Sequence, residues 1–167
     1  MNRQWIDTLL GKYRSRGVLI DSNILLLYVV GAISPRRIPT FKRTSTFAEE
    51  DFTTLTQLLA PFARLVTTPH IMTQVSNLVG QMSRNETAQA HIVRARLVAT
   101  MEETYVETAV LGRHHHFAKL GVADTGILSV TGAGLLVLTD DVALADWLGR
   151  AGIDALNFNH IRMAGLN

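Results

Sequence analysis

The segment Val18-Leu19-Ile20-Asp21-Ser22-Asn23 contains a change from one type of secondary structure to another. Its first three residues form a short, wholly apolar run, which is typical of a strand in a parallel sheet that is covered on both faces. Its last two residues are favourable helix N-caps, and the apolar stretch 24–30 predicts a helix that Gly31 closes. The chain is therefore expected to turn from strand to helix at Asp21.

The same alternation continues outward along the chain. Further strands are predicted at 64–68, 135–138 and 155–158, and helices at 4–13, 48–62, 70–82, 86–110, 120–130 and 142–150. Strands that alternate with helices predict a parallel sheet with helices on both faces, joined by right-handed crossovers. We therefore expect an α/β fold, a three-layer sandwich around a central, mainly parallel sheet of four or five strands.

The overall composition is that of one compact domain. The 167 residues suit a single domain, and 47% hydrophobic against 18% charged residues argues against disorder. The absence of cysteine excludes a disulfide framework, a thiolate metal site and a cysteine nucleophile. A net charge of +2 with a pI near 9.3 is compatible with nucleic-acid binding but does not require it.

The sequence gives no sign of export or of membrane insertion. The first five residues lack the long apolar core of a secretion signal. The longest apolar run, 18–33, is interrupted near its start by Asp21 and is too short to span a membrane. We expect a soluble, cytoplasmic protein with no membrane partner.

Basic side chains cluster in the segment 34–46, which contains two prolines and no apolar periodicity and is predicted to be an exposed loop. The basic residues are Arg36, Arg37, Lys42 and Arg43. They are able to contact RNA, since cationic side chains dominate sequence-independent nucleic-acid affinity. An ordinary solvated loop explains the same composition equally well.

Three consecutive histidines, His114-His115-His116, invite a metal-site interpretation. Adjacent side chains in a loop point in different directions, and no carboxylate or thiolate at ligand spacing accompanies them. A solvated loop is the favoured interpretation.

Carboxylates follow two of the predicted strands. Asp21 ends the first strand, and Asp140-Asp141 follow the strand 135–138 after a single intervening residue, Thr139. In a parallel sheet the carboxyl ends of the strands share one edge, where ligands and chemistry collect, so these acids can meet there. The alternative for each is that it is simply a helix N-cap.

Asp124 is out of place on its predicted helix. Helical spacing surrounds it with Leu120, Ile127 and Leu128, so it is expected to point inward. A buried carboxylate is costly unless a cation or hydrogen bonds compensate it. The alternative to a functional role is a buried acid that is satisfied by a backbone amide or an arginine.

Three acids that converge repel one another until a divalent cation neutralises them. Hard carboxylate oxygens suit Mg²⁺ or Mn²⁺, and no zinc ligand set is visible. The expected ligands are Asp21, Asp124 and Asp141, with Asp140 beside them. A cation held in this way can acidify water and neutralise a phosphate, which are the requirements of phosphodiester hydrolysis.

Taken in order, these motifs resemble the PIN-domain family over most of the chain, about 18–158. The segment 18–23 resembles that family's opening strand, with its first metal-binding Asp and an Asn, here Asn23, two positions on. Leu120–Asp124 is similar to the family's third acidic segment. Leu138–Asp141 resembles its closing Thr-any-Asp signature, which implies that Asp141 is the fourth acid and Asp140 its neighbour.

The chain departs from this family at the second acid. The family carries Glu on the helix after the second strand, whereas this sequence has Gln74 in the segment Thr68–Leu78. Gln74 borders the apolar stripe of that helix, so it can still face the site. An amide can hydrogen-bond a water, but it supplies no negative charge and accepts no proton as a carboxylate does.

The resemblance implies a PIN-like fold and a metal-dependent endoribonuclease that hydrolyses RNA phosphodiesters. Asp21, Asp124 and Asp141 would hold Mg²⁺ or Mn²⁺, Gln74 and Asn23 would orient waters, and Thr139 would support the site. Toxin-type members of the family suggest an antitoxin-like protein partner and a homodimer, by analogy alone. The alternative is a catalytically inactive PIN-like module that binds RNA or protein.

Overall fold

The computed structural model describes residues 3–163, and its strands form a single sheet. The strands are β1 (Val18–Ile20), β2 (Leu65–Thr67), β3 (Glu102–Glu103), β4 (Leu136–Thr139) and β5 (Ala155–Asn157). Their order in the sheet is β3-β2-β1-β4-β5, and every neighbouring pair is parallel. The predicted α/β fold around a mainly parallel sheet of four or five strands is confirmed, and the sheet has five strands, all parallel.

Helices connect the strands, as the alternation predicts. They are α1 (Arg3–Tyr13), α2 (Ser22–Ile33), α3 (Glu50–Leu59), α4 (Pro69–Val79), α5 (Arg84–Thr100), α6 (Thr108–Gly112), α7 (Phe117–Val130), α8 (Val142–Arg150) and α9 (Phe158–Met163). Short 3-10 turns follow α2 at Pro35–Arg37 and α7 at Thr131–Ala133. None of the helices within residues 3–163 is long and apolar enough to cross a membrane.

The core is centred on β1, β4 and α2. Both strands are buried along their whole length and pair in register, with Val18 opposite Leu136 and Ile20 opposite Leu138. Helix α2 is apolar around most of its circumference, which is typical of a helix packed on several sides. Asp21, which joins this helix to β1, is therefore held by the most buried part of the fold.

Helix α2 is longer than the sequence predicts at both ends. It begins at Ser22 because Asp21 is the N-cap, and it continues past Gly31 to Ile33. Gly31 is wrong as a stop signal, because its φ is not positive and the helix continues through it. A glycine is needed there because the ring of Phe52 on α3 lies against its backbone, where a Cβ would overlap the ring. The glycine therefore permits a close helix–helix contact.

The single helix predicted over 86–110 is wrong. Helix α5 ends at Thr100, and β3 then pairs with β2, with Glu102 opposite Val66. The amide of Thr104 also donates to the carbonyl of Thr67 at 2.9 Å. The free edge of β2 offers backbone partners that override the helical pattern, and the exposed glutamates mark β3 as an edge strand.

The segment 34–46 is only partly the exposed loop that the sequence predicts. Arg36, Lys42 and Arg43 are exposed, but Ile38 and Phe41 are buried. The segment therefore contributes apolar side chains to the core while its charged side chains stay in water. The last strand is also one residue shorter than predicted, because Phe158, which is fully buried, is the first residue of α9.

Gly31→Ala is expected to lower the free energy of unfolding by about 1–3 kcal/mol, because the added methyl group overlaps the Phe52 ring. Chemical denaturation measures the change. Gly149→Ala in α8 is the matched control, since a Cβ there has no neighbour within 4 Å. The control is expected to be neutral or to stabilise by up to about 1 kcal/mol. Equal stability of the two variants would contradict the close α2–α3 contact.

Candidate active site at the carboxyl edge of the sheet

Asp21 is held at the carboxyl end of β1 by two hydrogen bonds. The Ser22 amide donates to Oδ1 at 2.5 Å, and the hydroxyl of Thr139, at the end of β4, donates to Oδ2 at 2.6 Å. The side chain is only 5% exposed. Two residues that lie 118 positions apart in the sequence are thus neighbours, as the expected shared strand edge requires.

Asp141 lies in the same turn as Thr139. Its backbone amide donates to the Thr139 hydroxyl at 3.0 Å, and its Oδ1 accepts from the Leu144 amide at 3.0 Å, so it caps α8. Asp21 likewise caps α2. The N-cap interpretation therefore holds for both acids, and it fixes their carboxylates at one edge of the sheet.

Asp124 is half-buried on α7 rather than fully inward-facing. Its neighbours Ala123 and Thr125 are buried, and its carboxylate accepts no hydrogen bond from any residue within 3–163. Within the described chain, therefore, neither an amide nor an arginine satisfies this acid, and that alternative is wrong. Burial, and then the negative charge of Asp141, raise the pKa of Asp124 to about 6.

Asp140 is also half-buried and interacts with several groups. Burial raises the pKa of its carboxyl group, while a hydrogen bond from Asn23 and the charge of Arg162 oppose this rise. Its Oδ1 is shielded from solvent and has no hydrogen-bond partner in the described chain. The side chain of Asn159 donates to its backbone carbonyl at 2.9 Å.

The four acids form one electrostatic group. The pKa of Asp21 is raised to about 6, mainly by burial, and the charges of Asp124 and Asp140 add to the increase. The hydrogen bonds from Thr139 and from the Ser22 amide lower it but do not cancel the rise. An edge with these properties favours the uptake of positive charge, either a proton or a cation.

Gln74 lies beside this group. It is exposed on α4, and its Oε1 accepts a hydrogen bond of 2.8 Å from the hydroxyl of Ser22, the residue after Asp21. This contact requires β1, β2 and the start of α4 to meet at the same edge. The Gln74 side chain is thus close to the carboxylates, although it adds no charge to them.

A cleft of about 410 Å³ opens between α4 and α7 next to these side chains. It is lined by His70, Thr73, Gln74, Asn77 and the segment Leu120–Asp124. Gly121 lies in the wall of this cleft and interrupts α7 with a φ of 77° and a ψ of −174°. Polar side chains therefore line the cleft as far as Asp124.

The basic residues do not join the carboxylates. Arg36 and Arg37 follow the far end of α2, whose twelve residues span about 18 Å from Asp21. Arg37 is paired with Glu86, and Arg43 donates to Gln81 at 2.9 Å beyond the end of α4. Arg36 and Lys42 are exposed.

The residues that sequence reasoning missed lie mainly on α9. Arg162 forms an ion pair with Asp51 at 2.9 Å, donates to the carbonyl of Thr46, and contributes positive charge near Asp140. Asn159 donates to Asp140 from the same helix. The spacing of Asn159 and Arg162, three residues apart, is a helical signal, but it lies beyond the last predicted element, which ends at residue 158.

The residues present are of a kind that fits a divalent cation. Carboxylates dominate the group, the Asp124 carboxylate and Asp140 Oδ1 have no hydrogen-bond partner within the described chain, and the acids repel one another. Within residues 3–163 no three His, Asp or Glu side chains are already gathered at ligand spacing, the His114–His116 run included. A bound cation would offset the mutual repulsion of the acids.

Comparison with known proteins finds no family model and no curated protein that matches this chain. The function is therefore argued from the site itself.

The raised pKa of Asp21 predicts a specific pH dependence of stability. An acid with a higher pKa in the folded state retains its proton longer there, so its contribution favours folding at low pH. That contribution is lost as the pH rises from about 4 through about 6. In chelator-treated protein, the free energy of unfolding of Asp21→Asn minus that of the parent should therefore increase by about 2–3 kcal/mol as the pH rises from 4 to 7.

Urea denaturation over this pH range measures the difference. Asp7→Asn, at an exposed position on α1, is the control for loss of one carboxylate. If the two variants differ from the parent by the same amount at every pH, the carboxylate of Asp21 does not carry the raised pKa.

Proposed function

We propose that this protein is a metal-dependent endoribonuclease of the PIN type. The observation that carries the proposal is the group of four acids at the carboxyl edge of the sheet, in which Asp21 and Asp124 each have a pKa raised to about 6. Strongly perturbed carboxylates beside a polar cleft are typical of catalytic sites. The order of the motifs along the chain supports the PIN assignment.

Mg²⁺ or Mn²⁺ would be held by Asp21, Asp124 and Asp141, with Asp140 adjacent. When bound, such an ion supplies positive charge opposite a phosphate and makes water more acidic. Asp141 is the exposed member of the set, whereas Asp21 is buried and oriented by Thr139. The chain itself therefore holds two acids, Asp21 and Asp141, in place as helix caps, one buried and one exposed to a ligand.

Neutral side chains complete the proposed site. Gln74 uses its Oε1 to accept from Ser22, which leaves its amide nitrogen to donate to a water or to a phosphate oxygen. Asn23 hydrogen-bonds Asp140 from the first turn of α2. Both amides would orient water toward the scissile phosphate without accepting its proton.

The cleft between α4 and α7 is the proposed path for the RNA backbone. His70, Thr73 and Asn77 line it and can hydrogen-bond phosphate or ribose groups. The imidazole of His70 is positioned by the carbonyl of Val106, 3.1 Å from its Nε2. In this proposal Arg36 and Arg37 contribute long-range attraction, because they follow the end of α2, about 18 Å from Asp21 along that helix.

A second candidate function is an inactive module that binds RNA or protein through the same edge. Gln74 favours it, because a neutral amide that accepts from Ser22 stands where the PIN pattern has its second acid. An antitoxin-like partner or a second copy of the chain would then cover the acids. Activity measured with Gln74 restored to an acid distinguishes the two functions.

The first test is cleavage of a mixed panel of single-stranded RNAs with Mn²⁺ or Mg²⁺. The parent protein is expected to cleave, Asp21→Asn to lose about 100-fold or more in rate, and Gln74→Glu to gain activity because it adds a ligand charge. Gln57→Glu on α3 is the matched control, since it makes the same chemical change at an exposed position outside the site.

The outcomes separate the two candidates. Cleavage by Gln74→Glu alone would identify a nuclease that the glutamine has disarmed. A folded protein that binds RNA but cleaves it in none of the variants would support the binding module and refute the nuclease proposal.

Cation binding is tested separately by thermal unfolding. Mn²⁺ at about 100 times its dissociation constant should stabilise the parent by about 2.7 kcal/mol, seen as a rise in Tm. Asp124→Asn should abolish the increase if the acids share an ion, whereas Asp7→Asn should retain it. An equal rise in both variants would show that the cation binds elsewhere.

A further inference from the structure

A second pocket lies on the other side of the Thr139–Asp141 turn, between α1, α8, β5 and α9. It has a volume of about 600 Å³. It is lined by Trp5, Val142, Ala143, Ala145, Asp146, Ala155, Asn157 and His160. This pocket is distinct from the cleft between α4 and α7, and the proposed chemistry does not use it.

Exposed apolar side chains form part of its wall. Trp5 is 41% exposed on α1, and Val142 is 64% exposed in the first turn of α8. A tryptophan left this accessible provides a flat apolar surface beside an opening of the right size for a small planar ligand. Apolar contact would therefore provide most of the affinity for such a ligand.

Polar groups without partners belong to the same pocket. Asn157 is 2% exposed, and its Nδ2 has no hydrogen-bond partner within the described chain, although its Oδ1 accepts from the Asn159 amide. Nδ1 of His160 is also shielded from solvent and without a partner there. Buried polar atoms are normally paired, so both side chains are available to the polar edge of a ligand once they rotate toward the pocket.

The pocket is continuous with the carboxylate edge. Asn157 pairs in register with Thr139, and Val142 directly follows Asp141. Asn159, the second residue of α9, donates to the carbonyl of Asp140. A strand of RNA whose phosphate reaches the acids therefore has a neighbouring nucleotide within reach of this pocket.

We propose that this pocket is a nucleobase subsite, in which one unstacked RNA base lies against the Trp5 indole. Its polar edge would meet the Asn157 amide and the His160 imidazole after small side-chain rotations. The inference rests on the proposed ribonuclease function, and it adds that cleavage is selective for the base next to the scissile phosphate. Single-stranded RNA is commonly recognised in this way, by an aromatic platform combined with hydrogen bonds to a base edge.

A segment of a protein would use the Trp5 surface equally well and can pair the two polar groups through its backbone, so the base dependence of binding distinguishes the two occupants. A base satisfies both requirements with one planar group. The position next to Asp141 also suits a substrate that must reach the acids. These features favour the nucleobase over a second copy of the chain.

The test uses the full chain with Trp147→Phe, which leaves Trp5 as its single tryptophan. Binding is followed in chelator, so that no RNA is cleaved, with an adenosine RNA octamer and with an abasic ribose-phosphate octamer of the same charge. The adenosine octamer should quench the fluorescence of Trp5, and the abasic octamer should not. In labelled-octamer titrations, Trp5→Ala should weaken binding about tenfold and Trp5→Phe much less.

Ile92→Ala is the control for loss of an exposed apolar side chain, since Ile92 lies on α5 outside the pocket. Equal quenching by both octamers, or no effect of Trp5→Ala on affinity, would overturn the inference. Failure of the octamer to bind would also overturn the inference, as would a Trp5→Ala variant in which only the oligomeric state changes. Base-dependent quenching, with no cleavage in Mn²⁺ by either the parent or Gln74→Glu, would support the subsite and refute the nuclease proposal. Cleavage without base-dependent quenching would support the nuclease proposal and refute the subsite.

Discussion

The hydrogen bond from the Thr139 hydroxyl to Asp21 is the contact on which the candidate site depends. It joins the ends of two adjacent, fully buried strands, and the same hydroxyl accepts from the Asp141 amide. One side chain thus sets the position of two acids that the sequence separates by 120 residues. Because both acids also cap helices, their orientation is fixed by the backbone of α2 and α8.

Keeping acids at this edge has an energetic cost. Burial raises the pKa of Asp21 and of Asp124, so the ionised forms oppose folding at neutral pH. The surrounding core, in which β1, β4 and α2 are almost wholly apolar, offsets that cost. Such an arrangement is typical of sites where stability is given up for function, and in the proposed nuclease a cation would relieve the repulsion.

Local signals were sufficient to predict most of the fold. Apolar runs of three or four residues marked the central strands, and Asp21 and Asp141 stood where strand changes to helix. The failures were all tertiary in origin. Helix α5 ends early because β2 has a free edge, Gly31 does not end α2 because Phe52 packs on it, and segment 34–46 buries Ile38 and Phe41.

By itself, then, the sequence determined the alternation of strands and helices and the placement of acids after strands, since both depend on neighbouring residues. Only the tertiary structure decided which side chains share the site. Gln74 meets Ser22, Arg162 approaches Asp140, Arg36 and Arg37 lie at the far end of α2, and Trp5 and Asn157 line one pocket. These relations join residues that are distant in the chain, and strand order and helix packing, which no local pattern encodes, bring them together or keep them apart.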